Sequence, residues 1–306
     1  TCGFSGPAAW VVLSPNEQSI KRKIESVGKP LRDWDISINY GIKTGYNDAF
    51  IITTERRDEI LSNCKSEEER QRTEAIIRPI LRGRDIKRYS YDWAVLWLIW
   101  IPWHFPLHLD SSIQGSSAEA EQAFMDQYPS VYQHLLLYKP QLSARNKAET
   151  CIRYEWYALQ RWGANYSDDF SQPKIVWGEI SDRSKFAYEA DRHFIPEATT
   201  FLMSGKNLPY LLCVLNSPLS EWFFSKLGTT TGVGTVRWKK YTIEELLIPK
   251  AGESVVKQIE CMVDKYLNNE CSVTELSSQS NYLLYKAVGL SQEEISYVEN
   301  YYPPLL

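Results

Sequence analysis

Disulfide frameworks and zinc sites find little support in this chain. Its six cysteines, Cys2, Cys64, Cys151, Cys213, Cys261 and Cys271, are scattered and form no C-x-x-C pair. Reduced thiols in a cytoplasmic protein fit that pattern. No signal peptide opens the sequence. Its most apolar run, Trp93 to Pro102, is about half the length of a transmembrane helix, so no membrane partner is expected. The Val, Ile and Trp content of that run and its closing proline predict a buried strand. The sequence starts without methionine, as a fragment of a longer protein would.

Catalytic signatures are missing too. There is no G-x-x-x-x-G-K-[ST], no G-x-G-x-x-G after a strand, no G-x-S-x-G and no H-E-x-x-H. An amino-methyltransferase needs a glycine-rich cofactor loop and a polar-Pro-Pro-aromatic motif. Neither occurs, and Pro303-Pro304 in the tail lacks the polar partner. His104 and His108 have the spacing of ligands on a helix face, but Pro106 between them prevents a regular helix. No catalytic residue, metal ligand or cofactor is therefore expected within these residues.

What is present is an ordinary globular composition, 43% apolar and 24% charged, with 11 tryptophans and a net charge of -4. An acidic chain does not bind polyanions through its overall charge, so any such contact must come from local basic clusters. Three segments have the right character. Gly41 to Asp48 contains Lys43, Thr44, Gly45, Tyr46 and Asn47. Arg82-Gly-Arg-Asp-Ile-Lys-Arg88 presents Arg82, Arg84, Lys87 and Arg88. Thr229, Thr230 and Thr231 open a Thr/Gly stretch that runs into Arg237, Trp238, Lys239 and Lys240. Glycine lets backbone N–H groups approach phosphates, threonine adds donors, and Arg and Lys neutralise charge.

The pattern of elements is mixed. Ser14 to about Ser26 reads as a capped helix stopped by Gly28. Ile36–Tyr40, Ala49–Thr53, residues 173–177 and residues 185–188 read as strands. Glu55 to Ala75 and Tyr128 to Leu142 read as helical, and Asn207 to Leu227 as two helices or one kinked at Pro218. A short strand ends near Pro249, and helices follow over 253–268, 272–287 and from Ser291, which opens a capping box with Glu294. The expected class is α+β: a mixed α/β part over 1–205, then a mainly helical part over 206–306, with a loop and short strand at 228–250.

Taken in order, the motifs resemble a known family. Trp34-Asp-Ile-Ser-Ile-Asn-Tyr-Gly-Ile-Lys-Thr-Gly-Tyr-Asn-Asp-Ala-Phe-Ile-Ile52 resembles the opening of the TaqI-like specificity domain of type IIG restriction–modification enzymes. Ile77 to Tyr89, Pro173 to Ile180, Glu197 to Leu202, Leu211 to Ser217, Gly228 to Lys240 and Tyr285 to Glu294 resemble its later blocks. The resemblance implies a target-recognition fold akin to type I specificity subunits. It also implies a bacterial polypeptide that joins this region to an adenine-N6 DNA methyltransferase using S-adenosylmethionine, and to a magnesium-dependent nuclease. The expected partners are double-stranded DNA and the methyltransferase domain of the same chain.

On that reading the basic residues named above hold phosphates. Base edges would be read from stretches between the shared blocks, where Arg153, Arg161, Trp162, Asn165 and Arg183 lie. Two alternatives stay open. One is a magnesium nuclease built on Asp169, Glu179, Asp182 and Lys185. The other is a scaffold that docks a methyltransferase without reading DNA.

Overall fold

The computed structural model describes residues 13–227 and 236–301. They form two compact units. Among the described residues no helix is long and apolar enough to cross a membrane.

The sheet unit comprises Ile36–Ile180 and Lys185–Gly205. Its first sheet has four antiparallel strands in the order Ile36–Tyr40, Thr200–Gly205, Lys174–Gly178, Phe186–Glu189. The outer strand alternates, with Ile38 buried and Ser37 exposed, as one face against the core requires. The inner strands bury nearly every residue. Trp177 stacks on Phe201 at 5.4 Å, and Phe201 meets Tyr40 at 5.1 Å.

The second sheet runs Ile51–Thr53, Leu96–Ile99, Ile77–Leu81, Ile195–Pro196, the last pair being parallel. The expected strand at Trp93–Pro102 is thus realised in its centre. Ala49 and Phe50 do not extend the strand at 51–53. Both are fully buried at successive positions, which a strand with one solvated face cannot do, and they close the helical turn Asn47–Phe50.

The charged stretch after Thr53 is two helices, Thr54–Ser62 and Glu67–Ile76, because Ser66 caps the second through the Glu69 amide. Tyr128 to Leu142 likewise divides, at Pro129 and Pro140, each within the first turn of a helix.

The helical unit gathers the described residues up to Asp35, Ser181–Ser184, and those from Lys206 on. A single break after residue 205 places the first two segments with the sheet instead. Two long-range contacts account for the grouping. Gly28–Pro30 pairs antiparallel with Leu247–Pro249, and Arg183 is bonded to Glu221.

The first helix, Pro15–Val27, opens on the capping box Ser14/Glu17 and stops at Gly28, where a Cβ would stand 2.7 Å from the Ile24 carbonyl oxygen. Asn207–Leu227 resolves as two helices, Leu208–Leu215 and Pro218–Leu227. Helices Glu253–Leu267, Val273–Val288 and Gln292–Tyr301 complete the unit, the last two capped by Ser272/Glu275 and Ser291/Glu294. Ile259, Val263, Leu276 and Leu284 turn their apolar faces inward with Leu211 and Leu212.

Candidate nucleic-acid interface

One short turn organises the basic residues of the sheet unit. Residues 196–199 link two strands, and the 41–48 segment on one side and Leu81, which leads into Arg82, on the other are bonded to them. The Gly41 amide donates to the Thr200 carbonyl at 2.9 Å and the Ile42 amide to the Pro196 carbonyl at 2.9 Å. From the other side, the Glu197 amide donates to the Leu81 carbonyl at 2.9 Å. Glycine is required at Gly41, and the approach at Gly83 is close. A Cβ on Gly41 would stand 2.0 Å from the Glu197 carbonyl oxygen, and one on Gly83 would stand 3.2 Å from Thr199 Oγ1. Lys43 and Arg84 are both exposed and have no acidic partner among the described residues.

A third segment joins them. Lys43 and Arg161 exchange both backbone hydrogen bonds, at 2.8 and 2.9 Å. The Arg161 guanidinium donates to the Gly41 carbonyl and lies over the Tyr40 ring. Trp162, half-buried, packs edge to face with Trp100 and His108, while Asn165 is exposed. Three of the sequence-predicted stretches, 41–47, 82–88 and 161–165, therefore meet.

Not every residue in them faces outward. Thr44 is 3% exposed, and its hydroxyl donates to Asn47 Oδ1 at 2.5 Å. It shapes the turn and is no phosphate donor. Arg82 is clamped by Asp85 through Nε at 2.9 Å and Nη2 at 2.7 Å, which neutralises it. Lys87 is exposed near Asp92 at 3.9 Å, and Arg88 lies over the Tyr89 ring. Gly45 and Asn47 are exposed and Tyr46 is half-buried.

The remaining predicted residues lie elsewhere. Arg153 is exposed, beside Cys151 with its left-handed backbone at φ 63°. Arg183 is no base reader. It is buried in the helical unit, with Nε 3.1 Å from both Glu221 carboxylate oxygens and Nη2 2.5 Å from one of them. Trp238 is likewise structural, 4% exposed and stacked on Phe224 at 4.1 Å. Arg237 is exposed, Lys239 lies over the Tyr241 ring, and Lys240 pairs with Glu244 at 3.7 Å, all in the helical unit. Thr229, Thr230 and Thr231 lie outside the described residues. Among the described residues no three His, Cys, Asp or Glu side chains stand close enough to hold a metal ion. Asp169, Glu179, Asp182 and Lys185 thus belong to no cluster of three such side chains. Asp169 instead accepts from Asn39 at 2.9 Å.

Sequence reasoning missed Arg145. Its guanidinium is buried and donates to the carbonyls of Leu142, Thr44, Trp156 and Ala158. Burial pushes it down to about 10, so it stays charged at neutral pH. It ties the 44–47 turn to the segment that leads into Arg161. Tyr40, 45% exposed, was also missed. Its place next to Gly41 in an alternating strand was the available signal.

Comparisons with known proteins agree on the kind of domain. Residues 78–248 match the TaqI-like C-terminal specificity domain. The type II methyltransferase M.MjaIV of Methanocaldococcus jannaschii is 19% identical over 263 residues, 83% of this chain and 80% of that protein. The fold is shared with MmeI, a type IIL restriction–modification enzyme solved in complex with DNA, at a TM-score of 0.50 and 16% identity, over 91% of this chain and 34% of MmeI. The type IIG restriction endonuclease BpuSI gives 0.46 at 14% identity, over 90% of this chain and 33% of its own. The chain thus spans about a third of these two solved structures. With more than half of its residues matched, the chain belongs to the family of TaqI-like C-terminal specificity domains of restriction–modification enzymes.

Proposed function

We propose that this chain recognises a specific sequence of double-stranded DNA for a type IIG restriction–modification enzyme. Its adenine-N6 methyltransferase domain would lie in the same polypeptide. S-adenosylmethionine and magnesium would serve those other domains and not the residues described above, and the enzyme would act in the cytoplasm. The observation that carries the reading is the approach to the 196–199 turn of the segments that bear Lys43, Arg84 and Arg161, with Lys43 and Arg84 exposed and without an acidic partner among the described residues. In a chain of net charge -4 such a cluster is what a phosphate backbone requires. Lys43 and Arg84 contact phosphates and fix register, while residues of the 161–165 stretch approach base edges. Arg237 and Lys239 in the helical unit supply further phosphate contacts.

Selection from a randomised duplex pool tests this. The chain is expected to enrich a defined motif, with a steep fall in affinity as salt rises. Recovery of the unselected pool would refute it.

A further inference from the structure

We propose that Arg161 reads a guanine in the major groove, an assignment that rests on the duplex-DNA reading above. Its side chain is already held in place. Nε and Nη2 both donate to the Gly41 carbonyl, at 3.3 and 2.8 Å. The guanidinium lies 5.4 Å over the ring of Tyr40, which is itself packed on Phe201. Arg161's backbone is bonded to Lys43 in both directions. Gly41 cannot drift, because its backbone is pressed against Glu197.

This arrangement uses one edge of the guanidinium and leaves the other. A guanidinium carries five N–H groups in a fixed plane. The side edge, Nε and one hydrogen of Nη2, is committed to Gly41. The end edge, Nη1 and the second hydrogen of Nη2, has no partner among the described residues. That edge presents two parallel N–H bonds, the pattern that pairs with O6 and N7 of guanine. Because the side chain is ordered before DNA arrives, little of its rotamer freedom remains to be lost on binding. Lys43 and Arg84 lack this fixation and suit phosphates. A clamped, half-buried fork suits a base edge, where a small displacement destroys both bonds.

The test compares the wild-type chain with Arg161→Lys and Arg161→Gln in selections from a randomised duplex pool, followed by titrations at several salt concentrations. Lysine keeps the charge and loses the fork. The wild-type motif is expected to hold a fixed G·C pair. Both variants should accept the other base pairs there, losing roughly 5- to 150-fold of discrimination, with the other positions kept. The Lys variant should also keep the wild-type salt slope. An unchanged motif, or an even loss at all positions with the salt slope of the Lys variant preserved and that of the Gln variant reduced by about one, overturns the assignment, the latter result marking a phosphate contact. Should the Arg161 variants fail to fold, Tyr40→Ala takes their place. It is expected to relax the same position alone, and an unchanged motif in that variant overturns the assignment equally. A wild-type chain that enriches no motif fails the duplex reading itself.

Discussion

The Arg145 guanidinium donates to the Thr44 carbonyl, 101 residues away in sequence, and so carries the turn that presents Lys43 and Asn47. Four carbonyls surround this charge, and among the described residues no carboxylate bonds to it. Arg145→Met removes every one of these donors and leaves buried acceptors unsatisfied. The expected loss is at least about 3 kcal/mol of stability, read from urea unfolding. Arg145→Lys, with fewer donors, should fall between. Stability equal to wild type in the Met variant would contradict the role given to Arg145.

Gly41 carries a second structural demand. Alanine there would place a Cβ 2.0 Å from the Glu197 carbonyl oxygen, so the 196–199 turn has to move. Gly41→Ala is expected to cost about 3 kcal/mol, the upper end of overpacking penalties, and to weaken duplex binding together with it. Thermal unfolding beside a binding titration measures both.

The helical unit should be acid-sensitive. Burial raises the Glu17 carboxyl, but Lys226 at 2.7 Å and Ser14 outweigh it and bring it down to about 2. For Glu294 burial again opposes, and Lys23 at 2.6 Å, Ser19 and the Ser291 amide bring it to about 2. Both carboxyls are depressed in the folded state, so the unfolded chain binds more protons as pH falls. Their stabilisation is complete above the ordinary value of 4.5 and is lost as pH falls towards 2. The urea midpoint is expected to drop across that window, and Glu17→Gln with Glu294→Gln should flatten the drop. A parallel dependence in the double variant would speak against these two groups.

Arg183 shows what a sequence can and cannot tell. Its position between family blocks makes it a candidate base reader, whereas the fold buries it against Glu221. Arg183→Ala leaves that carboxylate unpaired and should cost about 3–5 kcal/mol. The DNA motif enriched by the folded fraction should stay the same.

Features set by neighbouring residues were legible: the Ser14 cap, the Ser291/Glu294 box, the stop at Gly28, the strand at 36–40, and the break at Pro218. Each depends on contacts within a few residues. Arg145, the burial of Trp238 and the passage of residues 13–35 into the helical unit depend on partners far along the chain. Neither composition nor periodicity encodes those. Segments 41–47 and 82–88 stood out through their basic and glycine content, and 161–165 through its place between the family blocks. That they meet around one turn is a tertiary fact.

Exposed and without an acidic partner among the described residues, Lys43 and Arg84 are assigned to phosphates. Lys43→Ala and Arg84→Ala should each weaken every duplex alike and flatten the salt dependence by about one unit. Titration by fluorescence anisotropy over a range of salt gives the slope. Unchanged slopes would remove the phosphate assignment.

Amide hydrogen exchange of the chain, with and without the duplex it enriches, tests the central claim most directly. Coincident protection is predicted over residues 41–47, 82–88 and 160–166. Protection confined to the C-terminal helices, with those three segments unchanged, would contradict it.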